Sequence, residues 1–551
     1  VPSLNPLDIA LGKLIPPDAA IVVEVGDRDS GLAAAYRSFN PHGQYWRVSP
    51  REGVAATPAV PVGQVDCLVY NQSLGNQSLG QVQGPVEWLS AQVPWVRDEG
   101  IILASFANLQ HWRVLVNVFR GNWPLALTQP AQSHPWQFFT LEGIESLYQQ
   151  AGLHIFDIQT IVQPAQDLNR LVQDLSPVLT ALKIDAAEFQ RRSQVSHYLV
   201  RATKVPVTTP KLLIQTYVAV SKACGPVRVY DPDQFSATLP HTRIYQVEKE
   251  RGDRILLNVA RPDEQKVFIW QRTLSRYPED LASQKALLDR GYLIVSEWDD
   301  DPRFWPQEPE HDFFRIRSSH CVQVATPALA KFLSQFNPHV KVFANQLTAL
   351  PEPRTDLQPK EPMLVLGGIR YPEDWQPIIP ALNRILARFP QVQITVIHAQ
   401  DFFTALETPR KTFYPFCTSA QYHELLHRCH IGILPLADTE FNRMKSDLKF
   451  LEHAGHQVVA LASPIVYADT IIEGKTGLLY HSPTEFEDKL SQLLEQPDWR
   501  HAIATRAYEW VRDHRLLSQH YRERRAWYGE MLAQWEPLTA DLKRRVPELF
   551  S

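Results

Sequence analysis

Residues 445–479, KSDLKFLEHAGHQVVALASPIVYADTIIEGKTGLL, constrain the fold of this chain more than any other stretch. Leu448, Leu451, Glu452 and Ala454 recur at helical spacing and lead into a short apolar run at 458–462. A loop, a second helix start and a Gly-Lys-Thr-Gly turn follow. The stretch reads as a helix–strand–helix unit with charged groups gathered at one end. Lys445 and Lys449 lie four apart and share a helix face, and Glu452 falls three residues after Lys449 near the same face. Two ammonium groups and a carboxylate at a helix start suit a diphosphate and a pair of ribose hydroxyls. The same spacing equally describes a surface helix with solvated lysines and an ordinary turn.

At 551 residues the chain is long enough for three or four domains. Apolar runs at 20–25, 65–70, 101–105 and 154–162 alternate with helical patterns, as in a doubly wound sheet. Residues 164–205 read as a helical, charged connector. A second block predicts strands at 227–230, 254–259, 266–270, 292–298 and 322–325. Pro351 to Pro362 carries four prolines in twelve residues and reads as a semi-rigid linker. A third block predicts strands from Met363 onward, at 392–398, at 431–434 and at 458–462, and residues 497–551 are mostly helical. The expected boundaries are therefore 1–165, a connector over 166–205, 206–355, 356–515 and a helical tail over 516–551.

Composition narrows the function classes. A net charge of −5 leaves no electrostatic footprint for nucleic acid. No apolar run approaches the ~20 residues that cross a bilayer, and the opening residues lack a signal-peptide pattern. The five cysteines are scattered without a Cys-x-x-Cys pair, which predicts reduced thiols in the cytoplasm and neither a zinc site nor a disulfide framework. No metal is expected.

The 445–479 pattern resembles the donor-binding half of GT-B glycosyltransferases of the group 1 type. There a helix ending in Leu-Glu-x-x-Ala precedes Gly-x-Pro-Val-Val-Ala-Ser and Gly-x-x-Gly-x-Leu. Here the places read Leu451-Glu452-His453-Ala454, Gly455-His456-Gln457-Val458-Val459-Ala460 and Gly474-Lys475-Thr476-Gly477-Leu478. The resemblance implies a pair of facing doubly wound domains, 206–355 on the acceptor side and 356–515 on the donor side, with a nucleotide sugar as donor. It implies a donor site at Gly367, Gly368, Arg370, Lys445, Lys449, Glu452 and Thr476. Glycines admit a ligand close to the backbone, and a guanidinium grips a diphosphate bidentately. The family's second cation after the Gly-x-Arg turn falls on Trp375, and the first of its two glutamates falls on Met444, so Glu440 is the nearest substitute. The Gln-Arg272 strand end and the run Asp299-Asp300-Asp301 resemble a subset of these enzymes. That acidic run is placed to orient an acceptor hydroxyl or take its proton; a helix N-cap on a solvated loop is the equal alternative.

The first block resembles class I SAM-dependent methyltransferases of the type 11/12 group. Its turn Glu24-Val-Gly26-Asp27-Arg-Asp-Ser-Gly31, the strand at 65–70 and the Phe138-to-Gly152 stretch carry the likeness. The implied SAM-like site is Glu24, Gly26, Asp27 and Gly31. Where the family holds the SAM ribose this chain has Trp46-Arg-Val-Ser-Pro-Arg51, and where it has Asp-x-Leu-Glu-His this chain has Gln72-Ser-Leu-Gly-Asn. Apolar periodicity kept while polar anchors are lost reads as a retained fold with an eroded site. The sequence as a whole predicts three doubly wound Rossmann-like α/β domains, the last two a GT-B pair, and a helical tail. The function expected is sugar transfer to a glycan or glycoprotein, with surface polysaccharide synthesis as a candidate setting and peripheral membrane contact as an option for the Arg/Trp-rich tail. A bifunctional glycosyl- and methyltransferase, or a non-catalytic scaffold, are the alternatives.

Overall fold

The structure is a computed structural model describing residues 5–26, 30–49, 60–74, 84–121, 139–163, 166–249, 258–354, 361–368 and 371–551. The chain divides into two compact units, Val1–Lys211 with Ala237–Thr242, and Leu212–Ser236 with Arg243–Ser551. Among the described residues there are three six-stranded sheets, one in the first unit and two in the second.

The first sheet comprises β1 (Ile21–Val25), β2 (Gln44–Val48), β3 (Val65–Tyr70), β4 (Val96–Ala107), β5 (His154–Val162) and β6 (Val195–Thr203), in the order β2-β1-β3-β4-β6-β5. β1 to β4 pair in parallel, whereas β6 runs antiparallel between β4 and β5. This corrects the reading of 166–205 as wholly helical. Helices occupy Gln166–Ala181 and Ala186–Ser193, but Val195–Thr203 is a strand buried along nearly its whole length. Arg201 disguised it: a charge in an apolar run suggests a surface, yet this guanidinium is 2% exposed and pairs with Asp157 at 2.8 Å.

The second sheet comprises β7 (Leu212–Val218), β8 (Thr242–Glu248), β9 (Gln265–Gln271), β10 (Leu293–Trp298), β11 (Cys321–Val324) and β12 (Val340–Val342), in the order β12-β11-β10-β9-β7-β8. The segment 227–230, expected as a strand, is a wide helical turn over Pro226–Tyr230 that runs into a helix at Asp231–Ser236. Pro226 has the fixed φ and missing N–H that suit a helix start. Arg228 is drawn inward by Glu297, Nε to Oε1 2.7 Å, and by the Phe343 carbonyl at 2.6 Å. Most of the strand expected at 254–259 lies outside the described residues.

The third sheet comprises β13 (Met363–Gly367), β14 (Gln393–Ile397), β15 (Lys411–Tyr414), β16 (Ile431–Leu434), β17 (Val459–Ala462) and β18 (Leu478–Leu479), all parallel, in the order β15-β14-β13-β16-β17-β18. Its strands are short, nearly continuous apolar runs because helices cover both faces. The order reverses between β13 and β16, and between β7 and β9 in the second sheet. Such reversals open crevices at the carboxyl ends of strands, where doubly wound sheets bind ligands.

The C-terminal helices pack back onto the second sheet. Trp527, Tyr528 and Leu538 join one core cluster with Leu212, Ile214, Val267, Ile269, Leu293 and Val295. Trp527 and Tyr528 of the tail are therefore core residues, and Trp510 and Trp535 are partly buried against core clusters. No helix among the described residues is long and apolar enough to cross a membrane.

Candidate active site

Four of the seven expected donor residues, Gly367, Gly368, Lys449 and Glu452, come together at the carboxyl end of β13. Gly367 closes the strand, and a Cβ there would stand 2.9 Å from Cε2 of Tyr422. Gly368 has φ +97°, a region L side chains rarely adopt, and a Cβ on it would lie 3.4 Å from Cε of Lys449. Lys449 rises from the first turn of the helix Leu448–Gly455. Its Nζ donates to Glu452 Oε2 at 2.7 Å and to the Tyr422 hydroxyl at 3.1 Å, and lies 4.2 Å from the Tyr422 ring centroid. Burial pushes the Glu452 carboxyl up, but the Lys449 ammonium prevails and holds it below the usual range. Lys449, Glu452, Gly367 and Gly368 thus form one charged, glycine-lined corner. Arg370 lies outside the described residues.

Lys445 sits in the bend before that helix and not on a helix face shared with Lys449, as its spacing had suggested; its Nζ lies 4.8 Å from the Phe441 ring centroid and 5.7 Å from that of Tyr371. Asp374 fixes this region. Its Oδ2 accepts the Tyr371 amide at 3.1 Å, and its Oδ1 accepts the Ala437 amide at 2.8 Å and Asn442 Nδ2 at 2.7 Å. One buried carboxylate therefore ties the loop after β13 to the loop after β16 and to the turn leading into Lys445. Asp447 holds the helix start by a two-pronged pair with Arg515, 2.7 and 2.9 Å. Thr476 does not join the corner through its hydroxyl in this structure: it is buried, and that oxygen accepts the Ile472 amide at 2.8 Å within its own turn.

The acidic run follows β10. Asp299 Oδ1 and Asp300 Oδ2 lie 3.3 and 3.1 Å from the two terminal nitrogens of Arg272, whose guanidinium stacks over Trp305 at 4.6 Å. Arg272 itself has φ +49°, an uncommon conformation for a side chain of this kind. Burial raises the Asp300 carboxyl, with Asp299 adding to the effect and Arg272 and Lys445 opposing it. Asp301 differs from its neighbours: it caps a short helical turn, accepts the Arg303 amide at 3.0 Å and pairs with that guanidinium at 2.8 Å. The helix-cap alternative applies to this residue. Glu440 is exposed and pairs with Arg303 at 2.9 Å. Met444 packs near Trp298 and its carbonyl accepts the Thr326 hydroxyl at 3.0 Å. Arg272, Tyr422 and Asp374 were missed as site residues because each gains meaning only from partners far away in sequence. No group of three or more His, Cys, Asp and Glu among the described residues is arranged to hold a metal ion.

In the first unit, Glu24 is 1% exposed and accepts the Tyr45 hydroxyl at 2.9 Å, with Arg47 Nε 3.9 Å away. Both partners come from β2, which places Arg47 opposite Glu24 in the register. Gly26 has open space where a Cβ would stand, and Gly31 has φ +71° before the helix at Leu32–Phe39. Asp27 lies outside the described residues.

Residues 379–527, a span that includes the Lys449 and Glu452 corner, match a family described as glycosyl transferase-like. No curated protein matches the chain. Solved structures similar to it include a mutant of S. aureus TarM in complex with fondaparinux, alpha-GlcNAc-glycerol and UDP, 12% identical over 49% of this chain and 55% of that one, with a TM-score of 0.38. HepE from Anabaena in complex with UDP-glucose is 14% identical over 57% of this chain and 99% of that one, with a TM-score of 0.41. The pneumococcal O-GlcNAc transferase GtfA in complex with UDP and GlcNAc is 9% identical over 50% and 56%, with a TM-score of 0.35. The chain spans about half the length of TarM and of GtfA.

Proposed function

We propose that the second unit is a GT-B glycosyltransferase that moves a sugar from a nucleotide sugar to a glycan or glycoprotein acceptor. The observation that carries the reading is the Lys449–Glu452 pair beside the left-handed Gly368 at a sheet's switch point. A diphosphate laid against Gly367 and Gly368 meets backbone rather than side chain, with the Lys449 ammonium at hand. Glu452, kept ionised by that ammonium, is an acceptor-only partner for ribose hydroxyls. As the bond between the anomeric carbon and the diphosphate oxygen breaks, negative charge grows on the leaving group, and Lys449 with Lys445 stabilises it. The acceptor oxygen bonds to the anomeric carbon and gives its proton to the Asp299–Asp300 pair. In this reading Asp301 and Glu440 serve as anchors for Arg303 rather than as proton carriers. Free thiols at all five cysteines agree with a reducing, cytoplasmic setting.

Titration calorimetry with UDP, GDP, ADP, CMP and SAM tests this. One nucleoside diphosphate should bind, and Lys449→Met should weaken it by about tenfold or more, since a charge-assisted contact contributes about 1.5–3 kcal/mol. SAM should not bind, because the stretch that would hold its ribose reads Trp46-Arg-Val-Ser-Pro-Arg51 and carries no carboxylate. Binding of both ligands would favour the bifunctional enzyme, and binding of neither would favour the scaffold.

A further inference from the structure

A run of aromatic rings links the loop after β10 to loops of the third sheet. Trp298, at the end of β10, stands 6.0 Å from Trp305, which stands 5.3 Å from Phe304. Phe304 in turn lies 4.9 Å from Phe441 and 6.2 Å from Tyr371, and those two are 6.3 Å apart. Phe304 belongs to the loop after β10, whereas Tyr371 and Phe441 belong to loops of the third sheet. Polar groups edge this run. Asp300 is near enough to help raise the Tyr371 hydroxyl, behind the effect of burial, and Lys445 lies over the Phe441 and Tyr371 rings. Packing between two sheets accounts for rings that are buried. It does not account for Phe304, which is 50% exposed in the middle of the series. A large apolar ring left half in water, joined through Trp305 to the Arg272 guanidinium that pairs with Asp300 at 3.1 Å, matches a ligand with one apolar face and a rim of hydroxyls. A pyranose has that form. Its C–H face packs on the negative face of an aromatic ring, and its hydroxyls donate to carboxylates.

We infer that Phe304, Tyr371 and Asp300 form an acceptor subsite for a pyranose ring, so that the acceptor is a glycan rather than a protein side chain. This rests on the glycosyltransferase reading above.

A glycan microarray and a serine/threonine peptide array, both probed with the labelled full chain, test it. Wild type should retain a set of glycans sharing a terminal sugar and no peptides. For the best of these, titrated as a free oligosaccharide, Phe304→Ala should weaken binding by about tenfold or more. Phe304→Tyr should keep it, and Asp300→Asn should weaken it. Each variant should bind the nucleoside diphosphate as wild type does, which shows an intact fold. Nucleotide binding with no glycan retained, with peptides retained instead, or with glycans held equally by Phe304→Ala, overturns the pyranose subsite and leaves the donor reading standing. Loss of nucleotide binding in wild type overturns both.

Discussion

Single side chains in the second unit sit in environments that only the folded chain creates. His320 is fully buried, and its Nδ1 accepts the Ile294 amide at 2.9 Å while its ring lies tilted against Trp535, centroids 4.8 Å apart. Burial, with Arg545 and His339 adding to it, lowers the imidazole to about 3. A base held neutral in the fold and free to protonate when unfolded stabilises the fold above its ordinary value near 6.5. That contribution drains away as the pH falls towards the folded value. Between pH 7.5 and pH 5 the loss is about 2 kcal/mol. The stability gap between wild type and His320→Gln, from urea midpoints at the two pH values, should therefore narrow by that amount. A gap that stays constant would mean the imidazole does not titrate differently on unfolding. The Lys449–Glu452 pair was legible at this scale because the two residues lie on one helix with readable spacing, whereas Lys445, expected on the same face, sits in the bend before that helix. Arg272 was not, since its role depends on Asp299, Asp300 and Trp305, which spacing alone cannot bring to it.

Elements explain how that corner is held in place. The helix Leu448–Gly455 lies against β16, where Gly432 faces His453. A Cβ on Gly432 would stand 2.1 Å from Cδ2 and 2.6 Å from Nε2 of that imidazole, which is itself fully buried and contacts the Lys449 carbonyl through Nδ1. Gly432→Ala should cost about 2 kcal/mol, because an overfilled core can relieve itself only by moving backbone or leaving good rotamers. It should also weaken nucleotide binding, since the residue displaced is adjacent to Glu452. Denaturant melts and calorimetry on the same variant check both effects, and an unchanged melt would refute the close packing of strand and helix. Strands buried on both faces, such as β13, β16 and β17, were readable as apolar runs. Those missed or misread failed for local reasons: β6 carries the buried Arg201, β18 is two residues long, and Val227 and Val229 gave a strand pattern to a turn that Pro226 starts as a helix.

At the scale of the whole molecule, the expectation of three doubly wound sheets and a helical tail agrees with the fold, yet the chain forms two compact units rather than three. The tail explains part of this. Residues 522–545 leave the third sheet's region and complete the core of the second, so both sheets of the second unit depend on one stretch of chain. The pairing of Leu347 with Leu516 and the hydrogen bond from Asn345 Nδ2 to Ser446 Oγ, 2.8 Å, add further ties between them. The surface pair Arg303–Glu440 adds little, since exposed ion pairs contribute at most about 1 kcal/mol. A ligand bound at β13 should consequently stabilise the whole second unit. Scanning calorimetry of the intact chain, with and without the nucleoside diphosphate selected by titration, reads this most directly. At about 100 times its dissociation constant the ligand should add about 2.7 kcal/mol to the unit that binds it. The account predicts that the transition of the second unit moves up, that the first unit's does not, and that Glu452→Ala abolishes the shift. A thermogram unmoved by every nucleoside diphosphate, or a shift that survives Glu452→Ala undiminished, would contradict the assignment of the donor site.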